Sequence, residues 1–70
     1  MQNKTLKEYV YWYKGPVLVF DKLNSNTWSG MTIAPSEKKA RSNLAYQYRQ
    51  QAGLSRSIPV KFVEEIHRND

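Results

Sequence analysis

Residues 36–54 read SEKKARSNLAYQYRQQAGL, and both ends of a helix are legible in them. Pro35 stops the preceding segment, the Ser36 hydroxyl can accept an N–H of the first turn, and Glu37 falls at the positive end of the helix dipole. At about 100° per residue, Ala40, Leu44 and Tyr48 line one stripe, with Ala45 and Ala52 at its edge. Gly53 is placed to adopt the left-handed C′ conformation, with Leu54 folding back on the last turn. Small alanines let such a helix approach a sheet closely. Its outward side carries Lys38, Lys39, Ser42, Asn43, Tyr46, Arg49 and Gln50.

N-terminal to this helix the chain reads as strands. Residues 1–5 are polar and are expected to fray, whereas residues 6–13 are dominated by aromatic and β-branched side chains that suit a pleated surface. Lys14-Gly15-Pro16 predicts a turn, because glycine supplies positive φ and proline cannot continue a central strand. Residues 16–22 form a second predicted strand, Asn24-Ser25-Asn26 a second turn, and residues 27–33 a third strand. Two tight connections in succession imply an antiparallel meander. Its register would place Tyr9, Tyr11, Tyr13, Leu18, Phe20, Met31 and Ile33 on one face. The other face would hold Val10, Trp12, Val17, Val19, Asp21, Trp28, Gly30 and Thr32. The first is richer in large apolar groups and is taken as the core, although a slip of one residue would exchange the two sets.

C-terminal to the helix, Val60 and Phe62 alternate with Lys61 as in an edge strand, while Phe62, Val63 and Ile66 also fit a short helix beginning near Pro59. The strand is preferred for residues 58–66, and residues 67–70 are expected to fray. The expected fold is therefore α+β: a three-stranded antiparallel meander followed by one amphipathic helix (βββα), with a short C-terminal strand. Seventy residues make a single domain spanning 1–70. A chain of that length buries only about 60% of its unfolded surface.

Composition narrows the function. There is no cysteine and one histidine, so disulfides and the usual Cys/His zinc sites are excluded. No stretch is long and apolar enough to span a membrane and no secretory signal is recognisable, so a cytoplasmic protein without membrane attachment is expected. The net charge is +5: residues 1–35 contribute +2, residues 36–54 contribute +3, and the remainder balances. An excess of cations favours polyanionic partners.

Catalytic chemistry is sparse. A Ser-His-acid arrangement would need His67, in the segment expected to fray, and Glu64 and Glu65 would point to opposite sides of a strand. The three glycines are isolated and form no phosphate-cradling loop. No enzyme, catalytic residue, metal or cofactor is expected.

Two surfaces could bind. On the helix, arginine, asparagine and glutamine can read base edges, while lysine, serine and tyrosine suit phosphates, although any amphipathic helix presents a charged outer face. On the sheet face left uncovered, Trp12, Val17, Val19 and Trp28 could stack bases, pack the C-terminal segment or form a protein interface.

The run Gly30-Met31-Thr32-Ile33-Ala34 followed by SEKKARSNLAYQYRQQAGL resembles small uncharacterised proteins of bacterial phages and integrative mobile elements, over the central half of the chain. The meander-then-helix order also looks like the three-stranded DNA-binding domains at the N-terminus of some transposon and phage integrases, which dock the sheet into the major groove. This sequence departs from that pattern in expecting tryptophan and valine, rather than arginine and lysine, on the open face. The resemblance implies a mobile-element context, and the expected function is a non-enzymatic accessory nucleic-acid-binding module that contacts DNA or RNA through the basic face of the helix, Lys38, Lys39, Ser42, Asn43, Tyr46, Arg49 and Gln50. The alternative is a protein-interaction or homodimerisation module that uses the open sheet face.

Overall fold

A computed structural model describes residues 7–69. The elements are β1 (Tyr9–Val19), β2 (Lys22–Ala34), α1 (Glu37–Ala52), β3 (Val60–Phe62) and β4 (His67–Asn69). The protein is α+β: an antiparallel sheet, one amphipathic helix on one side of it, and short strands at the C-terminal end. Strand order is β2-β1-β3, with β4 also paired to β1. The expectation for residues 1–5 lies outside the described residues.

Within that class the connections differ from those expected. Lys14-Gly15-Pro16 is not a turn but the middle of β1. Along its second edge, β1 is paired by β4 at residues 10–12 and by β3 at residues 17–19. Pro16 falls in the interval between them and beside a register shift against β2, so its missing N–H removes no bond from a continuous ladder. The side chain of Tyr13 closes that interval. Its hydroxyl donates to Pro16 O at 2.6 Å and accepts the backbone N–H groups of Val63 and Glu64, each at 3.1 Å. Gly15 is required by this close approach, since a β-carbon there would lie 2.9 Å from Glu64 Cγ and 3.0 Å from the Tyr13 hydroxyl.

The Asn24-Ser25-Asn26 segment is likewise strand rather than turn. Register slips by one residue between the Gly15–Trp28 and Val17–Ser25 pairs, and again before Leu18–Leu23. The turn-like composition thus marks bulged backbone. The reversal occurs instead at Phe20-Asp21, between the paired Val19 and Lys22. Both loop residues have positive φ, 52° and 63°, as the right-handed twist of a two-residue hairpin demands.

Because β1 is uninterrupted, odd positions face the core from end to end. Tyr11, Tyr13 and Val17 are buried, with Tyr9 and Val19 packed at the margin. A turn at residues 14–16 would have inverted this parity, which is why Val17 and Val19 lie inside rather than on the open face, and Leu18 and Phe20 outside rather than in the core. The same correction moves Met31 and Ile33 outward and brings Trp28 in against Tyr48 and Phe62.

The helix is as expected. Ser36 Oγ accepts Lys39 N–H at 3.2 Å, Gly53 is left-handed at φ 71°, and Leu54 N–H returns to Arg49 O at 2.8 Å. Ala40, Leu44, Ala45 and Tyr48 are buried against the sheet, while Ala52 is exposed. Within 58–66 the strand is Val60–Phe62, as preferred. His67–Asn69 does not fray: it pairs with β1, Arg68 lies over the Tyr9 ring at 4.4 Å, and Ile66 is buried beside it.

Candidate nucleic-acid interface

The helix presents fewer free groups than its sequence suggests. Lys38, Lys39, Ser42, Tyr46 and Gln50 are exposed. Asn43 instead donates from Nδ2 to Thr32 Oγ1 at 3.2 Å, and Arg49 donates from Nε to Ile58 O at 2.8 Å. The asparagine and the arginine, two of the residues best suited to reading base edges, are thus spent on tying the helix to β2 and to the loop before β3. Gln47 and Gln51 are used in the same way: Gln47 Nε2 donates to Met31 O at 2.9 Å, and Gln51 Oε1 accepts from Trp28 Nε1 at 3.0 Å.

Of the four residues expected on the open face, Trp12 is there and three are not. Val17 is wholly buried, Val19 is half-buried on the core side, and Trp28 is held between Tyr48 and Phe62. Trp12 projects from the helix-free side, 39% exposed, and is stacked on His67 with ring centroids 4.4 Å apart.

Strand alternation and pairing identify what surrounds it. Trp12 lies opposite Met31 on β2 and His67 on β4, Lys14 opposite Ser29, Val10 opposite Ile33, and Leu18 between Leu23 and Lys61. Met31 and Ile33 are 64% and 60% exposed. This helix-free face is therefore an apolar and aromatic strip bearing Lys14, Lys61 and His67. No described carboxylate occupies a strand position on it: Glu8 precedes β1, Asp21 is in the hairpin turn, Glu37 begins the helix, and Glu64 and Glu65 lie between β3 and β4. Sequence reasoning missed Lys14, Lys61 and His67. The available signal was the period-two run Val10, Trp12, Lys14, had it been continued through Pro16.

A shallow cleft opens between β2 and the C-terminal half of α1, lined by Asn24, Ser25, Trp28, Tyr48, Gln51 and Ala52. Its polar groups largely satisfy one another: the Tyr48 hydroxyl accepts from Asn24 Nδ2 and shares a hydrogen bond with Ser25 Oγ, both at 2.6 Å. Among the described residues, no three His, Asp or Glu side chains gather as a metal site, and no helix is long and apolar enough to cross a membrane. Compared with family models, curated proteins and solved structures, the chain matches none.

Proposed function

We propose that this protein is a non-enzymatic nucleic-acid-binding module and that its binding surface is the helix-free face of the sheet. The observation that carries this reading is the charge of that face, where Lys14 lies two residues from an exposed Trp12 stacked on His67, Lys61 lies further along opposite Leu18, and no described carboxylate occupies a strand position. Cations neutralise phosphates, and an aromatic plane among them offers a stacking surface to any base. The exposed lysines of α1, Lys38 and Lys39, add to the field of a chain whose net charge is +5. The resemblance to mobile-element proteins agrees with this partner class, and a cytoplasmic location would suit it. Titration of labelled single- and double-stranded DNA and RNA at low salt tests the proposal. Binding that weakens steeply with salt and quenches tryptophan emission is expected; no binding to any of the four would overturn it.

The exposed Met31 and Ile33 favour a second reading, in which the same face docks a protein through its apolar strip. Such an interface would hold its affinity as salt rises, whereas the nucleic-acid complex would not.

A further inference from the structure

β2 offers the longest unpaired backbone edge among the described strands. Its 13 residues pair with β1 on one side, and no described strand lies on the other. Edges of this kind are ordinarily blunted by charges, by proline or by bulges. From Leu23 to Ala34 the sequence contains neither a charged residue nor a proline. The register shifts fall near Ser25, leaving residues 28–34 in unbroken pairing. The hydrogen bond from Gln47 Nε2 to Met31 O locates that carbonyl on the side away from β1. Since backbone groups alternate along an antiparallel strand, Ser29 and Ile33 turn theirs to the same free side. Gln47 is a single side-chain guard, and a backbone N–H can replace it.

We infer that this edge is the seam of a homodimer in which two β2 strands pair antiparallel about a twofold axis. Charge selects a second copy as the occupant. The molecule is cationic, and the other elements carry charge along their length: Lys14 on β1, Lys61 on β3, Arg68 on β4, and Lys38, Lys39, Arg41 and Arg49 on α1, whereas β2 has only Lys22, at its hairpin end. Two copies meeting along residues 23–34 oppose no like charges within the seam, and identical antiparallel edges are self-complementary. Pairing also shields part of Met31 and Ile33, and it joins the two helix-free faces into one sheet surface with two sets of Lys14, Lys61 and His67. The inference rests on the edge of β2 and stands whether or not nucleic acid binds.

The chain has no cysteine, so single cysteines can be introduced without interference. Sedimentation at about 0.1 mM protein, a concentration suited to micromolar association, should give twice the chain mass for the wild type. The variant carrying Thr27→Lys and Ser29→Lys, both at exposed positions, should fall to one chain mass with an unchanged circular dichroism spectrum. Cysteine substitution along 27, 29, 31 and 33 should yield oxidised dimers at one register, whereas Ser42→Cys on α1 should not. A wild type that remains at one chain mass overturns the inference. So does a dimer that survives the folded double-lysine variant and forms no crosslink along β2.

Discussion

The hydroxyl of Tyr13 accepts the backbone N–H of Glu64, 51 residues further along the chain, at 3.1 Å. It also accepts Val63 N–H and donates to Pro16 O, so one wholly buried oxygen supplies the bonds that the strand pairing omits between β3 and β4. Tyr13→Phe would retain the ring contact with Phe62 and leave two N–H groups without their acceptor. Val63 and Glu64 are exposed, so we expect a loss of about 0.5–1.5 kcal/mol in urea unfolding, the net worth of a typical hydrogen bond, rather than the larger cost of a fully buried donor. An unchanged midpoint would mean that water replaces the hydroxyl without cost.

Gly30 is the second rigid point. It lies opposite Tyr13 on β2, and the Trp28 ring covers the space where its side chain would stand. A β-carbon there would collide with Trp28 Cη2. Gly30→Ala should therefore displace the indole, destabilise the fold by about 1–3 kcal/mol as overpacking does, and shift tryptophan emission to the red. Retention of the wild-type spectrum and melting temperature would contradict this packing.

The hairpin turn should be improvable. Phe20 and Asp21 both occupy the left-handed region, where non-glycine residues cost about 1–2 kcal/mol each, and Phe20 is 61% exposed. Replacing the pair with Asn-Gly supplies the residues this turn prefers. A stabilisation of about 1 kcal/mol is expected from the relieved strain, reduced by the entropy glycine adds to the unfolded chain. A lower melting temperature would assign Phe20 a packing role at the tip.

For the nucleic-acid reading, the two basic surfaces separate by mutation. Lys14→Ala with Lys61→Ala should weaken binding and reduce the salt slope by about 2, as expected for two lost phosphate contacts. Lys38→Ala with Lys39→Ala should change the slope less. The reverse ranking would return the interface to the helix.

The helix was legible because its signals are local: Ser36, Gly53 and the Ala40–Leu44–Tyr48 stripe each act within a turn or two. The α+β class and the strand at Val60–Phe62 followed from alternation. What escaped was non-local. Pro16 reads as a strand breaker unless one knows that β3 and β4 leave an interval beside it, and Phe20-Asp21 carries no turn signature because its geometry is imposed by the strands on either side. The missed parity then moved Val17, Val19 and Trp28 to the wrong face and hid Lys14, Lys61 and His67. Side-chain composition could not reveal that Asn43 and Arg49 are engaged by Thr32 and Ile58, since those partners lie across the tertiary contact.

The pairing of Val10–Trp12 with His67–Asn69 has a consequence during synthesis. β1 leaves the ribosome well before β4, from which it obtains part of its ladder. The β1–β2 hairpin and the helix can form earlier, but the sheet cannot close until the chain has been made through Asn69 and has cleared the exit tunnel. Closure then joins Val10 to Asn69 and Trp12 to His67, the kind of long-range contact that slows folding. Until that moment the Tyr11 and Tyr13 side of β1 lacks its C-terminal cover, and this is the interval in which a nascent copy is most exposed to capture by a chaperone or by its own kind.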